Sequence, residues 1–219
     1  MRLKRTLVSW VLFGGLVSAP ALLAGCSTSM SSRMNHSVMP VGSAPMAAHA
    51  MAMDLGPKDG EFDLRFIDGM ILHHQGAIAM AQGVQQHSHR AEMKHLAQAV
   101  IEAQQAEIDQ MKQWRQAWYP DASTEPVMYD AQMGHTMAMT PEMQVAMAMD
   151  GDLGKADANF DLRFINAMIP HHEGALAMAE QVLEKSDRPE LRQVAQDILA
   201  TQQGEIDQME QWRQAWYGQ

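Results

Sequence analysis

The sequence predicts an all-α protein, a four-helix bundle built from two tandem helical hairpins. Three observations carry that expectation. Residues 62–119 and 160–217 align without a gap, with 35 of 58 positions identical, so one unit occurs twice. Within each copy the apolar residues recur by threes and fours, the period of a helix face. The 219 residues also suffice for a sizeable buried core.

In chain order, Met1 to Arg5 is a short basic segment and Thr6 to Ala24 is apolar, with small residues toward its end. That is the layout of a secretory signal peptide, placed at residues 1–25. It ends in Leu23-Ala24-Gly25-Cys26, which resembles the bacterial lipobox, so Cys26 is expected to be the lipidated first residue of the mature chain. The expected location is the bacterial cell envelope, with the lipoprotein facing the periplasm or the outside of the cytoplasmic membrane. One Cys supplies neither a disulfide nor a thiolate zinc site. An oxidising compartment also favours thioether ligands over thiols.

Residues 26–58 and 120–156 are rich in Met, Ala, Ser, Gly and Pro, with few aromatics, and are expected to be disordered Met-rich linkers. The first would act as a tether with a reach of roughly 30 Å. Between and after them lie the repeats, bounded at 59–119 and 157–219. Phe62, Phe66, Met70, His73, Ala77, Met80 and Val84 form one helical stripe, and Ile67, Ile71, His74, Ile78 and Ala81 the adjoining one. The second helix is marked by Ala97, Ile101, Gln104, Ile108, Met111 and Trp118. In the second copy, Ser186-Asp187-Arg188-Pro189-Glu190 reads as the turn, with Asp187 capping and Glu190 completing a capping box. The Trp-Arg-Gln-Ala-Trp-Tyr that closes each copy reads as helix-end packing with cation–π pairs. Two hairpins with such stripes bury them best against each other.

Lys and Arg total 16 against 26 Asp and Glu, a formal net charge of −10. This excludes a nucleic-acid binder and suits cationic partners. The chain holds 21 Met but 5 Phe and 3 Tyr, with 10 His. Met70, His73, His74 and Met80 share the inward side of one helix, and Met168, His171, His172 and Met178 repeat them, with Met111, Met209, Gln104 and Gln202 on the second helices. A single core Met is ordinarily a flexible filler. An adjacent His pair inside an apolar stripe is different, because each imidazole costs free energy there unless it finds a partner. Neutral thioether and imidazole donors suit Cu(I), with Ag(I) as its mimic, and Cu(II) through the imidazoles; Mg, Ca and Mn want oxygen. The linkers add further donors, including Met133, His135, Met137 and Met139 in the second and Met30, Met34, His36, Met39, Met46, His49, Met51 and Met53 in the first.

These motifs resemble a known family. Phe-Asp-x-x-Phe-Ile, then Met-Ile-x-His-His-x-Gly-Ala-x-x-Met-Ala, then Gln-Gln-x-Glu-Ile-x-x-Met and a terminal Trp, are similar to the bacterial "domain of unknown function 305" family, in two tandem copies. The resemblance implies a ferritin-like helical fold and, from exported members, copper or silver binding and a part in copper resistance. It places the ligands at Met70, His73, His74, Met80 and Met111, and at Met168, His171, His172, Met178 and Met209. The family usually has Pro before the His pair: Pro170 fits and Leu72 departs, so the second pair is expected on a kink that the first lacks.

The leading expectation is thus a lipid-anchored copper-binding protein for sequestration, transfer or resistance, not an enzyme, with copper ions, the membrane and copper-export or resistance proteins as partners. The alternatives are a metal-dependent oxidoreductase of ferritin-like type and a structural or client-binding bundle. Di-iron bundles pair two Glu-x-x-His motifs. Here Glu92-x-x-His95 faces Glu190-x-x-Gln193, which disfavours the first alternative.

Overall fold

The computed structural model describes residues 53–219; the leader, Cys26 and the first linker up to residue 52 lie outside the described residues. The helices are α1 Phe62–His87, α2 Ala91–Trp118, α3 Pro141–Ala148, α4 Phe160–Lys185 and α5 Pro189–Tyr217, with a two-stranded sheet of β1 Val127–Asp130 and β2 His135–Ala138. The four long helices are those that the repeat predicts. Helix α4 runs unbroken through Pro170 and matches α1 at 26 residues. No helix among the described residues is long and apolar enough to cross a membrane.

Each copy folds on itself, α1 on α2 and α4 on α5, and the copies join through α1 and α4. Their register follows from the core, which divides into two clusters. Phe62, Phe66 and Met70 from the start of α1 pack with Ala175, Met178 and Val182 from the end of α4. Phe164 and Met168 from the start of α4 pack with Ala77, Met80 and Val84 from the end of α1. The two helices are therefore antiparallel, and an approximate two-fold relates the copies. Each fully buried Phe or Met contributes roughly 1.5–3 kcal/mol.

The helix ends repeat this symmetry. Trp114 stacks on Trp118 and Trp212 on Trp216. Arg188, from the α4–α5 turn, lies 4.1 Å over Trp118 and pairs with Asp63, while Arg90, from the α1–α2 turn, lies 4.1 Å over Trp216 and pairs with Asp161. The expected cation–π packing is present, and it crosses between the copies.

Two expectations need correction. Asp187 is not a cap: the Arg188 N–H donates to Ser186 Oγ at 3.2 Å, and Asp187 turns outward to Lys58. Serine at this depth is buried, so the shorter hydroxyl closes the turn and the carboxylate stays in water. The linker at 120–156 is also not disordered. It forms the hairpin and α3 and docks on the first copy: Val127 N–H donates to Asp68 at 3.0 Å, Arg65 donates to Thr136 at 2.6 Å, and Met139 and Met147 are buried. Gly134 takes a positive φ of 72° at the hairpin tip, and Thr140 followed by Pro141 starts α3, its hydroxyl accepting from Met143 N–H. Composition concealed these local signals because Met is as buriable as Leu.

The β-hairpin docks on copy one, which explains where the repeats diverge. Asp68 accepts from Val127 and pairs with Arg115 at 2.5 Å, and burial raises its pKa against the pull of that guanidinium. Its counterpart Asn166 is exposed. Both copies are also led in by the same loop, Asp54-Leu55-Gly56 and Asp152-Leu153-Gly154, in which each Asp accepts from its Gly N–H. Arg65 and Arg163 donate back to Leu55 and Leu153 carbonyls at 2.7 and 2.6 Å. The repeat therefore begins at 54 and 152, and the last residues of the first linker, with Met53 and Leu55 buried, belong to the fold.

Candidate metal centre

Between the two apolar clusters lies a polar layer. Antiparallel packing of α1 on α4 brings the two His pairs to the middle of the bundle, with the His73 and His171 ring centroids 3.8 Å apart and tilted by 42°. All four imidazoles are fully buried. The second helices supply Glu107 and Glu205 to the same layer. His74 Nε2 lies 2.6 Å from Glu107 Oε2, and His172 Nε2 lies 2.7 Å from Glu205 Oε2.

Partner chemistry assigns the tautomers. A carboxylate or carbonyl only accepts, so His74 and His172 donate through Nε2–H. His171 does likewise to the carbonyls of His73 and Ala148, at 3.0 and 3.2 Å. Burial, and then the neighbouring His172 and His74, lower the His171 pKa to about 3, so its other nitrogen carries no proton at neutral pH. The Nδ1 atoms of His74, His171 and His172 are buried and have no hydrogen-bond partner among the described residues. A bare imidazole nitrogen whose partner nitrogen is held by a carboxylate or carbonyl is the arrangement of a metal-ligating histidine.

Two glycines make the layer possible. A Cβ on Gly76 would stand 1.6 Å from the Ala148 carbonyl oxygen, so only glycine admits the end of α3 to its bond with His171. At the equivalent Gly174, His73 Nε2 and Met53 Sδ occupy the space, 3.1 and 3.5 Å from where a Cβ would be. The linkers thus reach the layer from both sides, through residues whose place the sequence reading left open.

The thioethers are shared across copies. Met70 and Met111 of the first copy cluster with Met178 of the second, joined by Met139 and Met147; Met168 and Met209 cluster with Met80 of the first. The Met147 and Met178 sulfurs both lie 3.8 Å from the Cβ position of Gly69. The linker donors separate: Met139 is buried, Met137 half-buried, and Met133 and His135 exposed. Gln104 and Gln202 are buried between α2 and α5, where Gln104 makes no side-chain hydrogen bond among the described residues. Glu107 and Glu205 are the functional candidates that sequence reasoning passed over; their spacing of 33 residues from His74 and His172, repeated in both copies, was the available signal. Among the described residues no three His, Cys, Asp or Glu side chains converge as a metal site.

Comparison with known proteins agrees with this architecture. The chain is similar to CopM, whose Cu(II)-bound form is 39% identical with a TM-score of 0.57, covering 71% of this chain and 97% of that one. CopM is also known in Cu(I)-bound and silver-bound forms. A fragment from Deinococcus radiodurans of the same domain type is 27% identical, with a TM-score of 0.55, over 70% of this chain and 95% of that one. An uncharacterized protein of Acanthamoeba polyphaga mimivirus is 39% identical over 49 residues, 22% of this chain; the match spans about a third, 32%, of that protein. The family profile described as "Domain of unknown function (DUF305)" matches residues 22–115 and 63–213. With most of the sequence covered by that profile, the chain belongs to the domain of unknown function 305 family.

Proposed function

We propose that this protein binds copper as cargo, chiefly Cu(I) with Ag(I) as its mimic and Cu(II) through imidazole, for sequestration, transfer or resistance. The observation that carries the reading is the set of three buried imidazoles, each spending one N–H on Glu107, Glu205 or a carbonyl and leaving a buried Nδ1 with no hydrogen-bond partner among the described residues. A neutral donor set of imidazole and thioether favours a soft monovalent ion, since transferring a doubly charged ion into a dry core costs far more. The two buried-side carboxylates hold the rings and offset the charge of the ion at one remove. The similarity to CopM, known with Cu(I), Cu(II) and silver, supports the same cargo. The ferritin-like oxidoreductase reading is weaker, because Glu92 and His95 sit on the solvent face of α2, away from the layer.

Competition titration of the full chain against a chelator tests the cargo. Cu(I) and Ag(I) are expected to bind more equivalents, and more tightly, than Zn(II). Zn(II) equal to Cu(I) in both respects contradicts the reading. The reading further includes export and a lipid anchor at Cys26, resting on the leader and the Leu23-Ala24-Gly25-Cys26 motif. Stable attachment needs more than one acyl chain. Cys26→Ala should therefore shift the protein from the membrane to the soluble fraction, and retention after a salt wash would count against the anchor.

A further inference from the structure

The β-hairpin assembles a second donor set, on the surface. Its register places Met128 opposite Met137 and Asp130 opposite His135. Side chains alternate between faces of a strand, so these four share one face. The other face is already engaged: Tyr129 covers Gly56 and lies under Arg65, and Thr136 accepts from Arg65. Residues directly opposite each other hold their Cβ atoms about 4.5–5.5 Å apart, within reach for two flexible thioethers to meet one ion. Met128 and Met137 are half-buried, and Met128 rests against the core, so the pair is ordered yet accessible.

His135 completes the set. It is exposed, and its Nδ1–H donates to the Thr136 carbonyl at 2.9 Å, which leaves the Nε2 lone pair open. Asp130 Oδ1 accepts from the N–H groups of Gln132 and Met133 and shapes the tip. We propose that the hairpin is a separate surface site for a soft monovalent cation, Cu(I) or Ag(I), held by Met128 Sδ, Met137 Sδ and His135 Nε2. Two thioethers and one imidazole form a neutral three-donor set, which suits these ions and holds harder divalent ones poorly. The inference rests on the soft-cation reading of the protein but uses none of the residues of the buried layer.

Methyl-13C methionine NMR of the full chain during Ag(I) titration tests it. The Met128 and Met137 methyl signals should shift together with one binding curve. Met128→Leu, which keeps the volume and removes the donor, should weaken the binding that Met137 reports by about tenfold or more, and His135→Gln likewise. Met93→Leu, in the core between the two copies and away from the hairpin, should leave the Met137 curve unchanged. A Met137 response indifferent to Met128→Leu, or an equal effect from Met93→Leu, overturns the hairpin site. The Met70 and Met168 methyls read the buried layer in the same spectra. If they respond while the hairpin pair does not, this inference alone fails; if the hairpin pair responds while they do not, the buried reading alone fails.

Discussion

His171 is held from several sides at once. It lies against the tilted ring of His73, donates to two carbonyls and sits beside His172, all at full burial. Its pKa falls from 6.5 to about 3, mainly because burial penalises the imidazolium. The sign of the consequence is fixed by the unfolded chain, which takes up a proton near pH 6.5 while the folded chain declines one until about pH 3. His171 therefore does not weaken the fold above pH 6.5. It progressively does so as pH drops toward 3, with a slope of up to about 1.4 kcal/mol per pH unit. His171→Gln keeps an N–H for the carbonyls and removes the titration. Urea denaturation of the metal-free protein at pH 7 and pH 4.5 should show a larger stability loss for the parent than for the variant, and equal losses would contradict the buried neutral imidazole.

Among the elements, α3 is the one whose role the sequence hid. Helical periodicity in a duplicated unit made the four long helices legible almost to the residue, because amphipathic stripes of that length have few other ways to bury themselves. A helix of eight residues has no stripe to show, and its Met content resembled a spacer. The signals were elsewhere: in Thr140-Pro141, and in the repeat mismatches Asp68 for Asn166 and Gly69 for Ala167, which fall where the linker docks. Gly76 is the tightest of these contacts. Gly76→Ala should force the Ala148 carbonyl away from His171 and cost roughly 1–3 kcal/mol, as overpacking does. Gly204→Ala, within α5 with nothing within 4 Å of its Cβ, should instead stabilise by up to about 1 kcal/mol. Thermal or urea denaturation of both variants measures the contrast, and a neutral Gly76→Ala would mean that α3 does not seat there.

At the scale of the whole molecule, duplication and antiparallel packing convert two similar hairpins into one shared layer. His74 and His172 find Glu107 and Glu205 within their own copies, whereas His73 meets His171, and each thioether cluster gains a member, across the copies. The candidate residues were legible in the sequence as a set. Their partition was not, because the periodicity of one helix says nothing about which end of another it will face. Labelled-histidine 15N NMR, which reads Nδ1 and Nε2 of each ring separately, addresses the central claim most directly. On saturation of the full chain with Ag(I), the Nδ1 signal of at least one of His74, His171 and His172 should move sharply while its Nε2 remains protonated. Unchanged Nδ1 signals at all three rings would contradict the account.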